Sequence, residues 1–372
     1  MILKKNILLI LILLISLSSC KRKEIITITD LFDQQEELSY KTLDIRDDSD
    51  LLLSPVALEL EGKLMIALDV RSPQMFSLID LITNTIKRSW GRKGTGPGEF
   101  VGVLDFYKNY KNTGINAWDP MNQRLNFCSF EQISNKDTVI FIDLFEGMKE
   151  IKTRNIFEEF YSNVLQLDET EFLAFGNKDG AKRFTMIDIK NNQKTGTGEF
   201  PKQDDHQDVM PIFRDQAYNG CIRYNKKQNK VVYVSYNSEM FEIFNVEDSG
   251  LILKYGNYTT IPEYALKDNG QGPNILVEKF SNGKGCYVAM SVTEEKIFIL
   301  YQRYEEGASD KDIEKLTSRD ADEILVFDWD GKPLQMYKLD CMVEEIEYDK
   351  NKNRFYAIRS KPDPEIVYFD LQ

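Results

Sequence analysis

A chain of 372 residues with 47 basic and 60 acidic side chains carries a formal charge of −13, which disfavours polyanions as partners. Nucleic acid and anionic lipid are held by Lys and Arg side chains that release counterions. Apolar residues make up 42 % and charged residues 29 %, the balance of a folded protein, and the single histidine, His206, is too few for a histidine-rich zinc site.

At the N-terminus Lys4 and Lys5 precede an unbroken apolar run over residues 7–15, followed by Leu17-Ser18-Ser19-Cys20. This is a secretory signal, far short of the ~18 residues that span a bilayer. The tetrapeptide resembles the bacterial lipobox, in which the cysteine is acylated and the chain is cut before it. The resemblance implies a signal peptide over residues 1–19, lipidation at Cys20 and a tether over residues 20–38; the alternative is an ordinary signal with an incidental cysteine. Several acyl chains exceed what stable anchoring requires, so the mature chain is expected to be held to the membrane by lipid without spanning it. Lys21 is not the aspartate that retains some lipoproteins in the inner membrane, and no acidic run follows. The expected location is the outer membrane, on the periplasmic side in preference to the cell surface. Loss of Lys4 and Lys5 takes the mature charge to about −15, and Lys21-Arg22-Lys23 reads as a solvated flank of the tether.

Residues 90–100, Trp-Gly-Arg-Lys-Gly-Thr-Gly-Pro-Gly-Glu-Phe, hold too much glycine for a helix or strand interior and read as a turn that closes one structural unit and opens the next. Residues 194–200 repeat the Thr-Gly-x-Gly-Glu-Phe core, and Asn269-Gly270-Gln271-Gly272-Pro273 is a weaker third copy. Neither the P-loop pattern nor the dinucleotide fingerprint is present, and an apolar strand, not a helix, is expected after Gly98.

Short runs rich in Val, Ile, Phe and Tyr recur in pairs: residues 64–70 with 75–82, 115–118 with 125–130, 171–175 with 184–189, 231–236 with 241–246, 297–301 with 324–329, and 355–358 with 366–371. Their first members start at intervals of 51, 57, 59, 66 and 58 residues. A period this long, with a strand before and after each pair, fits a four-stranded propeller blade. Inner strands are expected over residues 103–106, 164–167, 221–224, 286–290 and 342–348, and outer strands over 85–90, 139–145, 193–196, 251–255 and 334–339. The last blade lacks an outer strand. The alternating segment 39–45 has no partner, so it is expected to complete that blade and close the ring, hiding the sheet edges. The expected fold is all-β, one six-bladed β-propeller over residues 39–372.

Residues 91–100, Asn353-Arg354-Phe355-Tyr356, residues 324–331 and the lipobox together resemble the six-bladed propeller lipoproteins of Bacteroidetes, similar in fold to NHL and TolB-like propellers. The resemblance covers nearly the whole mature chain and speaks for fold more than function. Six-bladed lactonases hold calcium at the axis with acidic and amide ligands, a set that cannot be placed residue by residue here. A calcium-dependent lactonase-like or lyase-like enzyme is therefore the alternative to a binding or scaffold module for a glycan, peptide or protein. No cofactor is expected; calcium is the one ion the acidic loops leave room for, although Asp204, Asp205 and Asp208 beside His206 lack a loop-site spacing. Of Cys128, Cys221, Cys286 and Cys341, three stand at or just before the starts of expected inner strands, and the four are expected to be free, buried thiols in preference to the disulfides that an even count permits.

The longest connections fall on one face, and long loops on a rigid frame concentrate binding residues. The candidates there are Phe100, Phe213, Arg214, Tyr258, Tyr264 and Tyr304, with His206 on a polar loop. Arg71, Arg303 and Arg359 end second strands on the same side and are expected to converge on a carboxylate or sulfate; the alternative is that each pairs with a nearby acid.

Overall fold

The hairpins are set by a five-residue code. In Asp80–Asn84, Asp119–Gln123, Asp188–Asn192, Asn225–Asn229 and Asp349–Asn353, the last residue takes a positive φ of 49–53°, which asparagine tolerates better than most side chains. The first side chain accepts hydrogen bonds from the turn, as Asp80 Oδ1 does from Ile82 N (2.8 Å) and Asp349 Oδ1 from Asn351 N (2.9 Å). The computed structural model describes residues 27–45, 52–103, 105–135, 139–145, 161–176, 180–204, 209–268, 273–278, 285–304, 320–359 and 361–371. The lipobox with Cys20, and His206 with Asp205 and Asp208, lie outside the described residues.

A short 3-10 turn, Ile28–Leu31, opens the fold and is followed by β1 (Gln35–Leu38) and β2 (Tyr40–Thr42). Blade 1 is β3 (Pro55–Glu61), β4 (Leu64–Asp69), β5 (Gln74–Asp80) and β6 (Thr85–Lys93), with β7 (Glu99–Phe100) paired parallel to β6. Blade 2 is β8 (Phe106–Lys108), β9 (Gly114–Asp119), β10 (Arg124–Ser129) and β11 (Ile142–Asp143), with α1 (Phe130–Asn135) inserted before its last strand. Blade 3 is β12 (Asn163–Gln166), β13 (Glu171–Phe175), β14 (Phe184–Asp188) and β15 (Gln193–Thr197); α2 (Pro211–Ala217) leads on to the next. Blade 4 is β16 (Gly220–Asn225), β17 (Lys230–Ser235), β18 (Met240–Glu247) and β19 (Gly250–Tyr258), followed by a separate hairpin, β20 (Glu263–Asp268) and β21 (Pro273–Glu278). Blade 5 is β22 (Gly285–Val292), β23 (Lys296–Arg303), β24 (Ala321–Asp328) and β25 (Pro333–Val343). Blade 6 is β26 (Glu345–Asp349), β27 (Arg354–Arg359) and β28 (Glu365–Asp370), completed by β2, which runs antiparallel to β28.

The closing strand is where the sequence puts it, and the N-terminal segment does more. β1 adds to the outer edge of blade 5, parallel to β25, so consecutive strands strap two neighbouring blades. Ile28 is fully buried between blades 4 and 5, and Phe32 packs on Phe327 at 5.2 Å. Residues 28–38, expected to be tether, are thus part of the packed structure.

Each interface between adjacent blades has its own apolar core. Trp90, Phe100 and Phe106 lie between blades 1 and 2, Trp118 and Phe145 between 2 and 3, and Phe175 and Tyr233 between 3 and 4. Phe241 and Phe327 fill the next, Phe298 and Phe355 the next, and Met65 with Tyr356 closes the ring. Middle strands are covered on both sheet faces, so β9 is buried at all six positions. This is why they read as continuous apolar runs and not as alternation.

Several boundaries differ from the sequence reading. β6 runs on through Trp90 and Gly91 to Lys93, because Gly91, at φ 82°, lets the strand cross the Phe76 ring. The inner strand of blade 2 begins at Phe106. Residues 342–348 split between two blades, since Met342 belongs to β25 and β26 starts at Glu345. Cys341 therefore lies on an outer strand, half-buried, while Cys128, Cys221 and Cys286 are buried; none of the four is in a disulfide. Burial pushes the Cys128 and Cys221 thiols up to about 12, away from reactive thiolate.

Candidate functional site at the propeller axis

Adjacent inner strands are joined at the axis by side chains. The Tyr107 hydroxyl donates to Val164 O (2.6 Å), Lys108 N to Glu59 Oε2 (3.2 Å), Asn225 Nδ2 to Glu294 O (3.0 Å) and Tyr348 N to Ser291 Oγ (3.1 Å). Alternation along these strands sends one residue into an inter-blade core and the next to the axis. In β3, Leu58 and Leu60 are buried in the core while Glu59 and Glu61 stand at the axis; in β26, Ile346 is core and Glu345 and Glu347 are axial.

The axial residues enclose a cavity of about 530 Å³, within the usual range for small-ligand sites. Its floor is formed by Glu59, Lys108, Gln166, Arg223 and Glu347. Its mouth carries Tyr110, Lys226, Lys227, Glu294 and Lys350, all from loops joining first to second strands. The cavity therefore opens on the face opposite the long blade-to-blade connections.

Two ion groups occupy the floor. Arg223 binds Asp105 through two hydrogen bonds (2.7 and 3.1 Å). The Lys108 ammonium lies 3.6 Å from Glu59 and 3.4 Å from Glu61. Burial holds the Glu59 carboxyl above its ordinary value, with Lys108 opposing the rise. Burial, reinforced by Glu59, lifts Glu347 to about 8, and burial raises Glu345 well above the carboxylate range. Burial pulls the Lys108 ammonium down, but Glu59, Glu347 and Glu61 together hold it above its usual value. Carboxyls outnumber the cations near them, and burial disfavours ionising all of them together.

The described residues among those singled out from the sequence lie elsewhere, and none of them lines this cavity. Phe100 is fully buried against Phe76 and Phe141. Arg214, on α2, donates from Nε to Asp204 Oδ2 (2.9 Å) and stacks on Phe200 at 3.6 Å; Tyr264 reaches the same carboxylate at 3.2 Å. Arg214, Asp204 and Phe200 border a cavity of about 450 Å³ on the linker face. The Tyr258 hydroxyl donates to Glu242 Oε1 (2.6 Å), and Phe213 and Tyr304 are buried. Arg303 pairs with Glu323 at 3.1 Å; Arg359 pairs with Glu365 and lies over the Tyr40 ring at 4.6 Å. Arg71 is exposed.

The glycine-rich turns are structural. Glu99 Oε2 accepts from Gly96 N (2.9 Å), and Arg124 Nη1 donates to Thr95 O (3.1 Å) and Gly96 O (3.0 Å), so the turn fills its own anion nest. In the second copy Gly198 crosses the Phe184 ring as Gly91 crosses Phe76, and Glu199 O accepts from Arg183 Nε (2.8 Å). Residues 269–272 of the third copy lie outside the described residues. Among the described residues no three His, Cys, Asp or Glu side chains form a metal-ligand group, and no helix is long and apolar enough to cross a membrane.

The axial site could have been found from the Leu-Glu-Leu-Glu alternation at residues 58–61 and the Glu-Ile-Glu alternation at 345–347, once both segments were recognised as inner strands. Among curated proteins none matches this chain. Two solved structures share the fold over nearly their whole length. A DUF4221-family protein of Bacteroides vulgatus is 10 % identical with a TM-score of 0.55, covering 91 % of this chain and 99 % of its own. A putative exported protein of Bacteroides fragilis is 11 % identical with a TM-score of 0.52, covering 90 % and 98 %. The family described as TolB-like 6-blade propeller-like matches residues 33–351, nearly the whole ring, and the chain belongs to it.

Proposed function

We propose that this protein is a binding module of the cell envelope, anchored by lipid at Cys20, which holds a small acidic glycan or peptide group in its axial cavity. The observation that carries the reading is the charge of the cavity. In a chain of charge −13, its mouth carries Lys226, Lys227 and Lys350 against Glu294 and Glu295, which leaves one lysine over. A polar, cation-rich recess in an acidic protein focuses anions on itself. Calcium-dependent catalysis is the weaker reading, because the Lys108 ammonium and the Arg223 guanidinium stand among the axial carboxyls that a divalent cation would need.

The envelope location rests on the signal and lipobox at residues 1–20, with the exported relative as support. β1 runs in the same sense as β25, so residues 27–34 lie on the face where third strands turn into fourth, which is also the cavity face. Residues 20–26 reach at most about 25 Å, so lipid at Cys20 would turn the cavity toward the membrane. Palmitate labelling that marks the wild type and spares Cys20→Ala tests the anchor. A thermal-shift panel of acidic glycans and peptides tests the site. Stabilisation lost in Lys226→Ala/Lys350→Ala and kept in Arg71→Ala/Arg303→Ala/Arg359→Ala is expected; the reverse moves the site to the linker face.

A further inference from the structure

The cavity has two electrostatically distinct ends. At the mouth Lys227 is taken by Glu294 (2.7 Å) and Lys350 by Glu295 (3.1 Å). Lys226, over the Tyr110 ring at 4.9 Å, has no carboxylate partner among the described residues. At the floor, Lys108 is shared between Glu59 and Glu61, with Glu347 beside them. Gln166, 6 % exposed and lining the cavity, uses Oε1 to accept from Asn116 Nδ2 (2.8 Å), and its Nε2 has no partner among the described residues. Mouth and floor thus offer a cation without a carboxylate, a carboxyl in excess of its cations, and an unspent amide donor.

Resting on the binding reading above and narrowing it, we propose that the axial cavity takes a small zwitterion: a carboxylate received by Lys226 at the mouth and a primary ammonium received by Glu347 and Glu59 at the floor. Gln166 Nε2 supplies a hydrogen bond to an oxygen between the two charges. A free peptide terminus pair and an amino sugar that bears a carboxylate share this chemistry. A buried carboxyl in excess is costly when ionised and alone, and an ammonium arriving beside it removes that cost.

The pH dependence follows from the groups that face Glu347: Glu59 on β3, Lys108 on β8, Arg223 on β16, Ser291 on β22 and Glu345 on its own strand. With its carboxyl lifted to about 8, Glu347 must lose a proton as the ammonium arrives, so affinity rises with pH below neutrality. The rise is up to about tenfold per pH unit, one proton being released per ligand bound.

The test is calorimetry on the mature chain with alanyl-alanine, N-acetyl-alanyl-alanine, alanyl-alanine amide and muramic acid. Binding of alanyl-alanine or muramic acid is expected; whichever binds more tightly identifies the peptide or the amino-sugar source. Blocking either charge of the dipeptide is expected to weaken it at least about tenfold, the scale of one lost charge-assisted contact. At pH 7 the heat should vary with buffer ionisation enthalpy, reporting a released proton. Glu347→Gln, an isosteric change checked by circular dichroism, should abolish that release and flatten the pH dependence. Equal affinity for the free and N-acetylated dipeptide, with Lys226→Ala weakening both, overturns the ammonium site and leaves the anion-binding reading standing. No binding of either zwitterion up to about 10 mM, beyond the weakest useful affinity, also overturns the proposal.

Discussion

Arg183 and Arg223 are both guanidiniums held by a carboxylate inside the ring, and they serve opposite ends. Arg183, at the boundary of blades 3 and 4, is fully buried; its Nη2 meets Glu242 Oε2 at 2.5 Å, and its plane lies within 6 Å of the Phe184, Tyr218, Tyr233 and Phe244 rings. Tyr258 takes the second Glu242 oxygen, and the backbone of Glu199 takes Nε. No room is left for a ligand. Arg223 pairs with Asp105 through two hydrogen bonds where Arg183 makes one to Glu242, but the two side chains are 16 % and 23 % exposed and one wall is the axial cavity. A charge pair sealed among aromatic rings fixes two blades together; one that borders a cavity, among carboxyls in excess, is placed for recognition.

Cutting the sealed pair has the largest expected effect. Arg183→Met should leave Glu242 charged in an apolar wall and cost about 3–5 kcal/mol, read as a large fall in urea midpoint. Arg183→Met/Glu242→Gln should recover part of that loss, because the stranded charge is gone. If the single variant melts within about 1 kcal/mol of the parent, well below the usual cost of a broken buried pair, the pair is not the staple described.

Glu347→Gln comes next and has the opposite sign. Burial, with Glu59 reinforcing it, raises the folded-state Glu347 carboxyl to about 8, above its unfolded value. The folded protein therefore holds the proton more tightly than the unfolded chain, and stability from this group falls as pH rises from about 4.5 to 8. The glutamine cannot ionise. It should match the parent near pH 4.5 and exceed it by about 1–3 kcal/mol at pH 8.5, the full shift being discounted for access of water from the cavity. Parallel stability profiles across that window would mean the carboxyl is solvated and ionised throughout. Arg223→Met should cost less than the Arg183 change, about 1–2 kcal/mol, because Asp105 keeps contact with water when its partner is removed.

The fold was legible because its signals are local and repeated. Apolar runs mark the twice-covered middle strands, and segment 39–45 was the one alternating stretch left without a partner. The axial site was not legible for a geometric reason. Its residues come from six inner strands spread from Glu59 to Glu347, and each looks like an ordinary polar position until the ring closes. Arg214 and Tyr264 did converge, but on Asp204. Phe100 was drawn into the core because the glycine turn before it folds back on Phe76. Long loops marked the linker face, whereas the larger cavity lies under the short ones.

The smallest expected effect on stability is also the most telling for function. Lys226 projects from the turn 225–229, its ammonium over Tyr110, without a carboxylate partner among the described residues. Replacing it by alanine removes no core packing and strands no buried group, so the stability change should stay within about 0.5 kcal/mol, as for other surface positions. A ligand carboxylate at the cavity mouth would lose its charge-assisted donor, weakening binding about tenfold or more. Arg183→Met should show the reverse pattern: a large stability loss with little change in affinity measured well below its melting point. A Lys226→Ala protein that is as stable as the parent and binds every anionic probe equally well would remove the mouth from the site and leave the axial floor as its only support.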